Sequence, residues 1–383
     1  MRFNILFSIL LLASLCCTAE PIRLGILSHQ HFAKITVTIR TESFELVCDD
    51  GKKFILQKGD VVDINAVGEK INLWFKGAAH KGFSKVELRP VHWQASFKIQ
   101  VAGQKQSPRI YEETLEVKNT SGKLKLVNII DIEKYVGGVV EAEAGAAHTL
   151  EYYKVQSVIS RTYALNNLRR HEAEGFNLCD ATHCQVYHGK PRSTDLAEAA
   201  TYQTRDIVIV DSDINFITAT FHSNCGGHTK NAEHVWSKPV PYLVGCPDSF
   251  CVSMPNAKWE KEFSASQWNN YLLSNHKLWN DSAGIDQQPQ YRGKQFFIAD
   301  STSFISLPKM REDLKLRSTS FAVMPKGDVV KLMGYGFGHG VGLCQEGAIN
   351  MARKNISYQD IIHFYYKDVH LVPRYMLWFF KED

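Results

Sequence analysis

Asn128-Ile129-Ile130-Asp131-Ile132-Glu133-Lys134-Tyr135-Val136-Gly137 reads as a strand running into a short helix, and the chain changes character there. Upstream, residues 20–127 alternate apolar and polar positions in short runs, such as Ile35-Thr36-Val37-Thr38-Ile39 and Ser96-Phe97-Lys98-Ile99-Gln100-Val101. Turn signals, Asp49-Asp50-Gly51 and Ser121-Gly122 among them, separate the runs, which is the pattern of strands and hairpins. Downstream, Glu151–Arg170 holds no Gly or Pro and places Val155, Val158, Ile159 and Thr162 at helical spacing. Thr149 is positioned to cap that helix, with Glu151 in its first turn. Strands are expected at Asp206–Val210 and Phe216–Phe221, and helices at Gln345–Lys354 and Tyr358–Tyr366. Together these elements predict a mixed α+β fold: a β-rich region at 20–120, then a core of strands with packed helices over 121–383. A less typical subdomain is expected at about 255–330.

The first residues are Met1-Arg2-Phe3-Asn4, then a largely apolar run from Ile5 to Leu15 that closes on small residues at Ala19. That is the form of a secretory signal peptide over residues 1–19. The run is shorter than the ~20 apolar residues a membrane span needs, and no later segment supplies one. Leu15 stands before Cys16 where a lipid-anchored protein wants a small residue, so cleavage after Ala19 is preferred to a lipoprotein anchor. The expected product is exported: secreted, periplasmic or associated with the cell wall. Removal of the leader takes one Arg and no acid, lowering the formal charge from +4 to +3. That balance, without a clustered basic excess, argues against nucleic-acid binding.

Seven cysteines remain, at 48, 179, 184, 225, 246, 251 and 344, and an odd count leaves at least one outside any intramolecular pair. Cys179, His183 and Cys184 form a C-x3-H-C cluster with His171 eight residues before it. Two thiolates and two imidazoles would complete a tetrahedral zinc site; a Cys179–Cys184 disulfide or free thiols are the alternatives. Cys225, Cys246 and Cys251 supply candidates for one disulfide and a spare.

Four segments concentrate chemistry: Gly138–Ala144 with the helix from Lys154 to Ala164; Cys179–Tyr187; Phe221–Thr229; and Gly334–Ala348. The last alternates glycine with Tyr335, Phe337, His339 and Val341, yet no Gly-Lys-Ser/Thr follows, so it is not a phosphate loop. His222-Ser223 lacks the acid and elbow of a nucleophilic triad. Glu141 and Glu143 are two apart and do not face each other on a helix, which gives no support to a two-carboxylate glycosidase.

In this order the segments resemble the stage II sporulation protein D (SpoIID/LytB) family. Its members carry V-V-x-x-E-M-P before K-A-Q-A-V-A-A-R-T-Y, then C-D-T-T-H-C-Q-V-Y, H-S-N-C-G-G and G-x-G-H-G-V-G-x-x-Q-x-G-A. The likeness covers roughly 120–250 and 330–372. It departs from the pattern at Ala144-Gly145, where Met-Pro is common. The resemblance implies a peptidoglycan lytic transglycosylase that cuts peptide-stripped glycan strands between N-acetylmuramic acid and N-acetylglucosamine, leaving 1,6-anhydro ends. It places the catalytic acid at Glu143, acting as acid and then base. One carboxylate suffices because the sugar's own 6-hydroxyl attacks in place of water. Lys154, Gln156 and Arg161 have polar ends suited to glycan groups, Arg161 gripping a lactyl carboxylate or holding two helices together. His222, Ser223, Asn224, His339 and Gln345 are the further expected glycan contacts. Zinc on His171, Cys179, His183 and Cys184 would be structural, with no cofactor required for the chemistry. Some relatives are instead enhancers of the amidase that strips the strands, so the alternative is a glycan-binding partner of a cell-wall amidase.

Overall fold

The structure is a computed structural model and describes residues 21–104, 107–192, 195–236, 238–275, 296–298 and 304–377. The expected signal segment lies outside the described residues, as does much of 276–303. The fold is mixed α+β and rich in strands. Among the described residues no helix is long and apolar enough to cross a membrane.

The alternating runs form two sheets, with one apolar face each. One sheet has seven strands in the spatial order Leu178–Cys179, Ile22–Ile26, Lys123–Ile130, Thr114–Thr120, Lys85–Pro90, Phe44–Cys48, Lys53–Leu56. The other has six: Arg109–Glu112, Ser96–Val101, Lys34–Thr41, Val61–Val67, Lys70–Phe75, Ala78–Phe83. Their inward residues, including Leu24, Ile35, Phe44, Phe97 and Leu115, share one core. The short strand Leu178–Cys179 is the one parallel addition to Ile22–Ile26 and ties the cysteine loop to this β-rich part. Asp180 reinforces the tie, accepting from Leu27 N at 2.8 Å and pairing with Arg109 at 2.8 Å.

The described helices are α1 (Ile132–Ala144), α2 (Leu150–Asn166), α3 (Asp195–Gln203), α4 (Glu233–Trp236), α5 (Ala265–Asn275), α6 (Leu307–Asp313), α7 (Gln345–Arg353) and α8 (Tyr358–Tyr365). Helix α1 is longer than the short helix expected. Asp131 caps it, accepting from Glu133 N, and it continues through Gly137-Gly138. A glycine inside a helix costs about 1 kcal/mol, and Gly138 shows why it is there: a Cβ would sit 2.4 Å from Gly189 O and 2.5 Å from the Tyr187 ring. The loop after the cysteines thus packs against the helix backbone. Gly145 ends α1 at φ +76° and returns its N–H to Glu141 O.

Helix α2 is capped by Thr149. It is buried on nearly every side, between α1, α3, α7, α8 and the strand Ile207–Val210. It belongs mainly to a second core, with Val155, Val158 and Ile159 against Leu343, Ala348 and Ile362. Ala144, at the end of α1, packs against both cores. The expected strand at Phe216–Phe221 is mostly irregular. Only Phe221–His222 pairs as a strand, with Leu343–Cys344, because Thr218 N is taken by the Tyr242 hydroxyl and Thr220 N by Thr218 O. A third core unites Trp259, Trp268, Met310, Phe321 and Leu332 within residues 258–335.

Candidate active site

Glu143 lies in the last turn of α1, where the two cores meet, and lines an open cleft of about 260 Å³ with Tyr163, Thr182, Cys184, Gln185, Ala219, Thr220 and Phe221. Its Oε1 accepts Val186 N–H at 2.8 Å. Burial raises the carboxyl pKa above the ordinary value, the Val186 amide opposing it. A half-buried Glu with one backbone donor therefore keeps its proton to higher pH than an exposed one. Glu141 points elsewhere. It accepts Arg192 N–H at 2.8 and 3.0 Å and lines a separate depression with Arg109, His188 and Lys190. Among the described lining residues of the cleft, Glu143 is the sole carboxylate.

The loop that supplies Val186 carries the Cys/His cluster singled out in the sequence. The donor atoms of His171, Cys179, His183 and Cys184 all lie within 4.8 Å of one another. Cys184 Sγ is 3.4 Å from His171 Nε2 and 3.7 Å from His183 Nδ1, and Cys179 Sγ is 3.9 Å from His183 Nδ1. Zinc bonds of ~2.0–2.3 Å at tetrahedral angles place donors roughly 3.3–3.8 Å apart, so the set fits the ion. His171 Nδ1 is 2.5 Å from Glu174 Oε1, the carboxylate–histidine arrangement that orients a ligand ring. Both thiols are free and buried. Burial and the neighbouring Cys179 push the Cys184 thiol well up, a direction that a coordinated cation reverses.

The other expected contacts divide. Gln156 and Arg161 are buried inside the fold, Arg161 at 1 % exposure, and neither reaches the cleft. Arg161 is saturated by Glu133 (2.9 and 2.5 Å), Ile207 O and Thr201 O. It holds α2 to α1 and to the strand Ile207–Val210. Lys154 pairs with Glu151 at 2.7 Å and sits over the Tyr358 ring. Gln156 and Arg161 lie on enclosed faces of α2 and stay inside the fold, Arg161 taking the second of its two expected roles by holding helices together, while Lys154 is held in a peripheral pair. Asn224 is likewise buried, giving Nδ2 to Glu346 Oε2 at 2.6 Å and to Cys251 O. Ser223 Oγ accepts from Asn256 Nδ2.

His222 is buried, its Nδ1 at 3.1 Å from Val341 O and its Nε2 without a partner. Burial first, then the His339 ring, lowers its pKa to about 3. His339 contacts Phe221 O at 2.9 Å and takes Val341 N–H on Nδ1, and burial lowers its pKa to about 4. Both rings are neutral near pH 7. His339 reaches backbone and side chain of two cleft residues, Thr220 and Phe221. Gln345, first residue of α7, is half-buried with its Nε2 unpartnered. Gly336 and Gly338 let this loop close on the Phe221–Asn224 segment: a Cβ at Gly338 would be 2.7 Å from His222 Cβ, and one at Gly336 2.6 Å from Asn224 O.

Tyr163, Thr182, Gln185, Thr220 and Phe221 line the cleft without having been singled out. Tyr163 and Gln185 lie inside the recognised segments, so their neighbourhood was visible; nothing in the sequence marked their orientation.

With the geometry in place, comparison with known proteins defines the class. Residues 120–210 match the family model described as stage II sporulation protein. An uncharacterized protein of Brachyspira hyodysenteriae is 34% identical over 254 residues, covering 64% of this chain and 68% of the relative. The stage II sporulation protein D of Bacillus subtilis is 30% identical over 259 residues, 63% of this chain and 74% of the relative. The amidase enhancer of the same organism is 29% identical over 283 residues, 60% of this chain but 39% of that protein. The chain belongs to the stage II sporulation protein D family.

Proposed function

We propose that this protein is an exported peptidoglycan lytic transglycosylase with Glu143 as its acid and base. The observation that carries the reading is a lone carboxylate among the described lining residues, its pKa raised by burial, at the wall of an open cleft. The proton on Glu143 passes to the glycosidic oxygen as the bond from N-acetylmuramic acid to N-acetylglucosamine breaks. The 6-hydroxyl of the same muramyl residue attacks the anomeric carbon, closing the 1,6-anhydro ring, and the Glu143 carboxylate takes that hydroxyl's proton. Val186 N–H fixes Oε1, and among the described residues nothing donates to Oε2. A single acid that is returned to its starting state needs no second carboxylate and no activated water.

Zinc on His171, Cys179, His183 and Cys184 has a structural role in this reading. Four protein donors leave no open position, and the ion fixes the loop whose next residues present Val186 to Glu143. Metal analysis of Cys184→Ser beside wild type tests it. The similarity to an amidase enhancer supports a second reading, in which the cleft binds stripped glycan and stimulates a cell-wall amidase. Mass spectrometry of peptide-free glycan strands treated with wild type and Glu143→Gln separates the two. Products ending in 1,6-anhydro-N-acetylmuramic acid, lost in the variant, support the enzyme. Binding without cleavage by either protein supports the enhancer.

A further inference from the structure

We propose that Cys225, Asp248, Cys251 and Cys344 form a second, fully buried tetrahedral zinc site, which locks together the loops beneath the His222 and His339 rings. Their four donor atoms lie within 4.8 Å of one another, and all four residues are buried. Cys225 Sγ is 3.3 Å from Cys251 Sγ and 3.3 Å from Asp248 Oδ2, close to the roughly 3.3–3.8 Å edge of a tetrahedron with zinc bonds of ~2.0–2.3 Å. A disulfide needs sulfurs ~2.05 Å apart, and one disulfide would still leave a thiol and a carboxylate in the same enclosure.

The supporting shell is already arranged around the donors. Asp248 Oδ1 takes Phe250 N–H at 2.9 Å, while Oδ2, the oxygen facing Cys225, accepts the Tyr365 hydroxyl at 3.0 Å. Cys344 Sγ receives Cys225 N–H at 3.3 Å and Gly347 N–H at 3.4 Å. Such outer donors orient ligands and hold a sulfur's negative charge. Gly347 leaves room for this shell, since a Cβ there would lie 2.1 Å from Tyr365 Oη and 2.4 Å from Asp248 Oδ2. Buried cysteines alone would read as small apolar side chains. A carboxylate among them changes the reading, because a buried acid either keeps its proton or gains a compensating charge, three thiols converge on this one, and no described Lys, Arg or His pairs with it. A divalent cation supplies that charge. Loading releases the thiol protons to solvent, and four protein donors make the ion structural.

The site gathers the Cys225 turn, the Asp248–Cys251 turn beginning 23 residues later and, more than ninety residues beyond that, the N-cap of α7. The test is zinc content of the full mature protein, measured by plasma mass spectrometry after exhaustive dialysis, in a Cys184→Ser background that disables the first cluster. One zinc per chain is expected there, and none after adding Cys251→Ser. Should that double variant not fold, thiol alkylation of the Cys184→Ser protein with and without prior zinc chelation gives the answer. Cys225, Cys251 and Cys344 should label only after chelation. Absence of zinc from folded Cys184→Ser, retention of zinc by the double variant, a Cys225–Cys251 disulfide in peptide maps, or labelling indifferent to chelation would each overturn the proposal.

Discussion

Two clusters of cysteine in one chain show what proximity in sequence does and does not reveal. The first draws His171, Cys179, His183 and Cys184 from a single stretch of fourteen residues, with His183 exposed and Cys184 lining the Glu143 cleft. The second draws Cys225, Asp248, Cys251 and Cys344 from three distant segments and buries all of them. One is a local knot that aims a backbone amide at the proposed acid. The other is a long-range junction, with Cys344 delivered by the parallel pairing of Phe221–His222 with Leu343–Cys344. A local knot should govern the geometry of its loop, and a long-range junction the stability of the whole second core.

The sharpest way to probe the local side is Glu143→Gln. It should keep the fold and lower formation of 1,6-anhydro ends by roughly 10²–10⁴-fold, the usual worth of a positioned acid/base. Activity of wild type should also fall as pH rises through the raised carboxyl pKa, a limb that chromatography of products against pH would follow. The next largest effect belongs to the interior: Arg161→Ala strands Glu133 and should cost about 3–5 kcal/mol in urea unfolding. Lys154→Ala, which removes a peripheral pair, should cost less than ~1 kcal/mol. Equal losses would undo the assignment of Arg161 to the framework. Cys184→Ser should lower cleavage roughly 10–100-fold, as loss of metal support does, with a smaller drop in melting temperature than Cys344→Ser. The reverse order would break the contrast between knot and junction. A further effect is one of pH on stability. His339 has a folded pKa of about 4, below the ordinary value, so the unfolded chain binds more protons between the two. Stability should therefore decline as pH falls from about 6.5 toward 4, and His339→Gln should flatten that slope in melting curves.

Much of the fold could be read in advance because it rests on local rules. Alternation marked the strands of residues 20–127, and the cap Thr149 marked where α2 begins, whereas the Asp131 cap of α1 emerged only in the structure. The four chemical segments were recognised as a set, and the structure brings Glu143, Cys184 and Phe221 to one cleft. The failures are equally specific. Gln156 was expected to meet glycan, yet α2 has neighbours on nearly every side and Gln156 is buried, while Arg161 took the second of its two expected roles, holding helices together. Cys225, Cys246 and Cys251 were indistinguishable as partners. In the structure Cys251 approaches Cys225, whereas Cys246 Sγ faces Phe364 O and Thr229 Oγ1.

The sequence by itself determined the class of fold and the family, and it singled out the proposed acid and the first Cys/His cluster, because each is written in contiguous or closely spaced residues whose chemistry survives without coordinates. Tertiary structure alone decided which polar side chains meet solvent, that Asp248 joins three thiols, and that Val186 presents its amide to Glu143. Those outcomes depend on which distant surfaces enclose a residue, and burial is a property of the packed chain.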